Sequence, residues 1–485
     1  MSDNEIDKTD KIEEIDKTDK IEEIDKTDKI EEIDKTDILK DFNLKNEQKI
    51  VYNRYLDGKN LFVTGPGGTG KTHLIKAIVK HATENKKQYK VCALTGCAAI
   101  LLMCGATTLH AFAGIGLATE SIKHVVDKVI QSRNRKANWH KTDILIIDEV
   151  SMLSVKVFII LDLIARKIRK KPNLPFGGIQ VIFSGDFYQL PPVGNEDDPE
   201  TTQFCFECGL WNETFHQENQ IQLKTMFRQT DEKYIKILNN IRVGKITKSM
   251  IATLSECVNK KDLDEAQPTI LLPRRRDADK INNTELNKLD KSTEQCFNIC
   301  VVPPSELSLT KEQFTNINLF TTKQQQYEID ILSESIMPEK DLYLRIGTRV
   351  MCVINLNVES HVPIINGSQG VVTEFNDKGY PMVEFSNGTK QIIGPHIWMS
   401  EKLPGIAIKQ IPLIYAWAIT IHKAQGVTLE KALIDLGSQV FECGQTYVAL
   451  SRIKTLLGLY LKAFDYRKIT VNKKVQQYYN KLTTS

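Results

Sequence analysis

One stretch, Gly65-Pro66-Gly67-Gly68-Thr69-Gly70-Lys71-Thr72, leaves few folds open to this chain. It follows an apolar run, Leu61-Phe62-Val63-Thr64, that reads as a short buried strand. It precedes a helical pattern with Leu74, Ile75, Ile78 and Val79 on one side. Strand, glycine loop and helix form the context in which the G-x-x-x-x-G-K-[ST] pattern has a physical meaning. Glycines let successive backbone N–H groups turn inward around a phosphate. The helix start adds unpaired N–H groups and the positive end of its dipole. Lys71 is expected to reach the β- and γ-phosphates, and the Thr72 hydroxyl to hold Mg²⁺.

A second run, Asp143-Ile144-Leu145-Ile146-Ile147-Asp148-Glu149, drives a buried strand onto two carboxylates. Beside a phosphate loop, Asp148 is expected to hold Mg²⁺ through water and Glu149 to polarise the attacking water. Val181-Ile182-Phe183-Ser184-Gly185-Asp186 repeats the strand pattern, and Gln189 after it could touch the γ-phosphate and report its loss. Upstream, a helix opens near Phe42 and runs through Val51 and Tyr55, with Asn43 or Asn46 as its cap. Gln48 on that helix could read an adenine edge, because its amide offers donor and acceptor together. A further strand, Val91–Leu94, ends at Thr95-Gly96. The stretch 105–116, rich in small residues and hydroxyls, fits either a nucleic-acid backbone contact or a loop with a buried helix start. Strands alternating with helices predict an α/β fold with parallel sheets covered on both faces. The polar loops then meet at the carboxyl ends of the strands.

Charge divides the chain unevenly. Residues 1–41 hold 17 acidic residues against 8 lysines, a balance of −9 that leaves +12 on the rest of a chain whose net charge is +3. A basic body suits a polyanionic partner. The acidic part is a tandem repeat, Glu-Ile-Asp-Lys-Thr-Asp-Lys-Ile-Glu, starting at Glu5, Glu14 and Glu23 with a partial copy at Glu32. A nine-residue period is about 2.5 helical turns, so successive isoleucines fall on opposite faces and no apolar stripe forms. The expectation is a disordered tail. It either competes with nucleic acid for basic surface or is a passive repeat expansion.

No apolar run is long enough to span a membrane, and the N-terminus resembles neither a secretory signal nor a mitochondrial presequence. The expected location is intracellular, in the cytoplasm, the nucleus or a viral factory. Ten scattered cysteines suit a reducing compartment. Cys205 with Cys208 and Cys296 with Cys300 could form a zinc site, but their unequal spacing and lack of histidines favour ordinary thiols.

The phosphate loop, Asp148-Glu149-Val150-Ser151-Met152, Gly185-Asp186-Phe187-Tyr188-Gln189-Leu190-Pro191-Pro192 and Thr107-Thr108-Leu109-His110 resemble the motifs of the Pif (petite integration frequency) DNA helicases. These are 5′-to-3′ members of helicase superfamily one, with RecD-like relatives. The resemblance continues through Met226-Phe227-Arg228-Gln229, Thr420-Ile421-His422-Lys423-Ala424-Gln425-Gly426 and Tyr447-Val448-Ala449-Leu450-Ser451-Arg452.

It implies two RecA-like domains with ATP and Mg²⁺ between them: 42–220, with a small wedge near 114–137, and 221–290 joined to 411–485. The wedge segment reads as helical, which puts a β-hairpin wedge in doubt. An insert at 291–410 is β-rich in its own right, with runs at 348–354, 370–375 and 382–385 separated by turns, and fits a small Src-homology-like barrel. The resemblance makes Arg228 and Arg452 arginine fingers. It places Thr95, Thr108, His110, His422, Lys423 and Gln425 on single-stranded DNA. Trp417 fits either base stacking or packing beside Tyr415.

The implied activity is ATP-dependent 5′-to-3′ unwinding of forked duplex DNA by a monomer, in replication, repair, recombination or telomere maintenance. The rivals are an RNA helicase and a nucleotide-gated binding module without turnover.

Overall fold

The computed structural model describes residues 41–483, apart from 103, 117, 259, 261–267, 308, 310–319, 355, 357–363, 365, 401–402 and 404. The reading of residues 1–40 as a tail lies outside the described residues. No described helix is long and apolar enough to cross a membrane.

Six strands make the first sheet: β1 (Leu61–Thr64), β2 (Tyr89–Ala93), β3 (Thr107–Thr108), β4 (Ile144–Asp148), β5 (Gln180–Gly185) and β6 (Gln220–Gln222). All pairs are parallel, in the order β3-β2-β4-β5-β1-β6. β1 and β4 are buried at every position, as strands covered on both faces are. Alternate residues feed two cores. Leu61, Val63, Ile144 and Ile146 join Leu74 and Ile78 on one face. Phe62, Leu145 and Ile147 join Phe158, Phe183 and Trp211 on the other. Thr64 lies opposite Gly185, and Ile147 opposite Phe183. The carboxyl ends of β4, β5 and β1 therefore stand side by side.

The first helix, Asn46–Leu56, is capped by neither asparagine. Its cap residue is Lys45, whose N–H donates to Gln48 Oε1 at 3.0 Å. Asn43 instead sits at φ +43° and accepts from Lys45 Nζ at 3.2 Å. The wedge segment is helical: Ile122–Gln131, capped by Ser121, then Arg133–Lys141. Val125, Val126 and Val129 bind the first of these to the first-domain core.

The second domain has four parallel strands, ordered Ala418–Thr420, Thr269–Leu272, Ala432–Leu436, Leu459–Phe464. The insert between the first two is mainly antiparallel. Its five-stranded sheet runs Lys390–Ile392, Pro381–Phe385, Gln369–Phe375, Arg349–Cys352, Leu413–Tyr415. That edge strand, Leu413–Tyr415, lies beyond residue 410 and pairs with Arg349–Cys352 of the insert. Trp417 is half-buried, 6.1 Å from the Tyr415 ring and packed on the core. The cysteine pairs lie apart: Cys205 is in the first-domain core, while Cys296 and Cys300 are exposed on insert strands.

The last described helix, Lys473–Thr483, falls within the range expected for the second domain but packs into the first. Val475 and Tyr479 are buried in the core around Phe62 and Phe187. Tyr478 stacks on Phe206 at 4.5 Å and bonds Gln220 Oε1 at 2.6 Å. Val475, Tyr478, Tyr479 and Leu482 share one helical face, and that face fits the aromatic groove beside β1.

Candidate nucleotide and nucleic-acid site

The phosphate loop leaves β1 through residues that only glycine accommodates readily. Gly65, Gly68 and Gly70 have φ of +147°, +94° and +79°, and a Cβ on Gly68 would stand 2.7 Å from Arg228 Cβ. The Thr69 hydroxyl pins the loop by donating to Pro66 O at 2.9 Å. Lys71 opens the helix Lys71–Glu84 and bends back, donating to Gly65 O at 2.8 Å and Pro66 O at 3.1 Å. Burial pushes its pKa down, while Asp186, Glu149 and Asp148 pull it up. Gln48 meets the loop from the preceding helix, donating to Gly70 O at 3.3 Å. With Lys45 N–H on its oxygen, the amide keeps one N–H and one lone pair for an adenine edge.

Asp148 ends β4, and Glu149 follows in the left-handed region at φ +58°, an uncommon setting for a side chain that is not glycine. Burial raises the Asp148 pKa, against the Ser184 hydroxyl, the Glu149 N–H and Lys71. Burial raises that of Glu149 as well, and the Asp148 charge adds to it; Lys71, Arg452 and Gln425 oppose. Gln189 is buried after β5, and its Oε1 has no hydrogen-bond partner among the described residues. Asp148, Glu149, Gln189, Lys71 and Thr72 line one cleft of about 1380 Å³.

The second domain closes this cleft. Phe227 N–H donates to Gly68 O at 2.9 Å and places the next residue, Arg228, over the loop. A Cβ on Gly67 would stand 3.4 Å from Arg452 Nη2 and 3.6 Å from Arg228 Nη1. Arg228 Nη1 donates to Ser451 O at 3.1 Å, and Arg452 donates to Val448 O and Ser451 Oγ at 2.9 and 2.8 Å. Neither arginine makes an ion pair among the described residues. Burial lowers the pKa of both. Arg452 is pushed down to about 9, with Arg228 adding to the effect and Glu149 opposing it. Arg452 is buried and Arg228 half-buried beside it, and two guanidiniums so close together favour an anion near them.

Several site residues gave no separate signal in the sequence. The Tyr447 hydroxyl accepts from Gly67 N–H at 2.9 Å, across the domain boundary. Gln229 Nε2 donates to Ser451 O and Ile453 O, and its buried Oε1 has no partner among the described residues. Arg242, at the end of the helix Glu232–Arg242, grips Asp186 with two bonds of 2.8 and 2.9 Å. It lies between the rings of Tyr188, 4.5 Å away, and Tyr479, 5.1 Å away. Arg242 and Tyr479 needed the tertiary fold to be seen. Tyr447 and Gln229 sit beside the two arginines and could have been found there.

The proposed nucleic-acid residues separate into groups. Thr95 and Thr108 cap short helices, accepting from Ala98 N–H at 3.2 Å and Ala111 N–H at 3.3 Å. Thr108 also lines a cavity of about 200 Å³ shared with Trp398 and Ser335 of the insert. His110 and His422 are kept toward neutral by burial, against Glu442 in the case of His422. His422 and Lys423 are half-exposed on the turn after Ala418–Thr420. Gln425, expected with them on DNA, points inward instead: its Nε2 donates to Glu149 Oε2 at 3.0 Å. The turn brings the amide to the Glu149 carboxylate because Ala424 and Val427 on either side of it are anchored in the core.

Residues 43–251 match the family described as PIF1-like helicase, and 330–375 match the DNA helicase Pif1 2B domain. The chain is 36% identical over 448 residues to the ATP-dependent DNA helicase PIF1 of Xenopus laevis, covering 91% of this chain and 65% of the relative. It thus spans a little under two thirds of that protein's length. Its fold matches the crystal structure of the Pif1 helicase from Candida albicans with a TM-score of 0.70 and 30% identity, covering 90% of this chain and 99% of that one. The Bacteroides Pif1 helicase in complex with ADP-AlF3 and ssDNA matches with a TM-score of 0.60 and 28% identity, covering 91% and 97%.

Proposed function

Because the chain belongs to the PIF1-like helicase family, we propose that it is an ATP-dependent DNA helicase that moves 5′ to 3′ on single strands and opens forked duplexes. The observation that carries the reading is the convergence on Gly67 of two guanidiniums from the second domain, neither in an ion pair among the described residues, at the cleft that Asp148 and Glu149 also line. That arrangement suits a phosphoryl group transferred between domains, where charge develops on its oxygens.

In this reading the loop 65–72 cradles the phosphates, Glu149 takes the proton of the attacking water, and Arg228 and Arg452 act as fingers. Gln189, with its unpartnered oxygen, follows the γ-phosphate, and Gln48 meets the adenine edge. The donor set fits magnesium: the Thr72 hydroxyl and the buried Asp148 carboxylate would hold it, with water and phosphate oxygens completing the shell. The ion neutralises charge on the β- and γ-oxygens when bound.

The two parallel-sheet domains are read as the RecA-like pair, with the last helix counted with the first. The insert is the 2B-type domain. Thr95, Thr108, His110, His422 and Lys423 follow the strand. One chain suffices as the working unit, since loop, carboxylates and fingers are all supplied in cis.

A strand-displacement assay with 5′-tailed and 3′-tailed duplexes tests the proposal. Opening of the 5′-tailed substrate alone, with ATP, is expected. ATP-independent behaviour, or preference for the 3′ tail, contradicts it. Phosphate release with poly-dT against poly-U separates the DNA from the RNA reading.

A further inference from the structure

We propose that Gln425 is the positioning residue that ties occupancy of the DNA-facing turn to the setting of the Glu149 carboxylate. The inference rests on the helicase reading above and adds a residue that the strand-binding group had claimed.

The turn after Ala418–Thr420 is a compact, internally bonded unit. Lys423 N–H donates to Thr420 Oγ1 at 3.2 Å, Ala424 N–H to Thr420 O at 3.0 Å, and Gln425 N–H to His422 O at 3.1 Å. Ile421, Ala424 and Val427 are buried, which fixes its base. His422 and Lys423 face outward from that base, and Gln425 faces inward to Glu149. A strand phosphate that shifts His422 or Lys423 therefore shifts Gln425 through bonds no more than four residues long.

The receiving end is sensitive to such a shift. Glu149 stands at φ +58°, in the region that favours glycine, so the contacts around it, the Gln425 bond among them, hold its conformation. The donor on Oε2 decides which carboxylate oxygen is left for water. The same segment also reaches the neighbouring finger: Leu429 N–H donates to Arg452 O at 2.9 Å. One short stretch thus touches the outer turn, the base and the backbone of an arginine beside Gly67. An amide that merely satisfied a buried carboxylate would not need this placement, three residues from the outward-facing histidine.

The test measures ATP turnover with and without an oligo-dT single strand in wild type, Gln425→Ala and Gln425→Glu. In Gln425→Ala the strand-stimulated kcat should fall about 10²-fold, the scale of a misplaced catalytic group. KM for ATP and strand affinity by anisotropy should stay within about twofold, because neither ground-state contact is lost. Gln425→Glu keeps the shape but replaces the donor with a carboxylate, so it should fail to restore stimulation. Restoration by Gln425→Glu assigns the residue to packing and overturns the proposal. Lost strand affinity with an intact stimulation ratio makes Gln425 a strand contact, and also overturns it. A stimulated wild type with an equally stimulated Gln425→Ala overturns this inference alone. A wild type that DNA does not stimulate overturns it together with the helicase reading.

Discussion

Around Asp186 the positive charge that the second domain brings to the first is fully answered, whereas at the phosphate loop it is not. Arg242 is held by both oxygens of Asp186 and sandwiched between Tyr188 and Tyr479, and the Tyr479 hydroxyl bonds the same carboxylate at 3.3 Å. The Asp186 side chain reaches no solvent. At Gly67, Arg228 and Arg452 meet, among the described residues, carbonyls and a hydroxyl, and the buried oxygens of Gln189 and Gln229 have no partner there. The first contact carries its own counter-charge, and the second, among the described residues, does not.

The sharpest way to break the contrast is at the unanswered end. Arg452→Ala and Arg228→Ala should each slow hydrolysis by about 10³-fold or more while ADP binding changes far less. Single-turnover phosphate release and an ADP titration measure the two. If ADP affinity falls as far as the rate, the guanidiniums are props rather than fingers. Glu149→Gln should come next, losing about 10²–10⁴ in turnover with ATP binding retained, because the amide accepts no proton. Wild-type turnover in that variant would end the assignment of the base. Lys71→Ala should weaken nucleotide binding itself.

At the answered end the effect should be on stability. Arg242→Met leaves the Asp186 carboxylate buried without its counter-charge, which should cost about 3–5 kcal/mol in urea unfolding. The double variant Arg242→Met/Asp186→Leu should recover most of that loss, because a buried pair is often replaceable by apolar groups of similar size. A single variant as stable as wild type would mean that the hub is wetter than its geometry implies.

The smallest effect concerns an internal anion. Deleting residues 1–41, which carry −9, should raise single-stranded DNA affinity at low salt. The gain should shrink as screening approaches about 8 Å at physiological ionic strength. Asp41 already pairs with Lys80 at 2.7 Å. Superimposed salt titrations of intact and truncated protein would make the repeat passive.

The answered and unanswered contacts were not equally legible in the sequence. The phosphate loop, Asp148 and Glu149 announce themselves because a short linear stretch carries their chemistry. β1, β2, β4 and β5 follow from apolar runs, whereas β3, a pair of threonines, and β6, Gln220-Ile221-Gln222, carry no such run. Arg228 and Arg452 were marked only by the motifs around them. Arg242 carries no such mark: it ends an ordinary amphipathic helix, and its partner lies 56 positions upstream. Gln425 was placed with its linear neighbours on DNA, yet consecutive residues of a turn face different ways, and burial of Ala424 and Val427 decides which. The last helix shows an apolar face in the sequence, but periodicity cannot say which core that face joins.

That helix also sets an order of events. Thr64, at the foot of the phosphate loop, bonds the Tyr479 hydroxyl at 2.5 Å across 415 positions of chain. At a synthesis rate of about 5–20 residues per second, the ribosome delivers that partner roughly 20–80 s after the loop. Until then the groove beside β1 lies bare of Tyr478 and Tyr479, although every phosphate-loop residue has already been made. The domain that begins first is finished last, after the insert and the second sheet have been threaded between its two parts. The growing chain thus carries a nucleotide loop whose foundation arrives only with Tyr479.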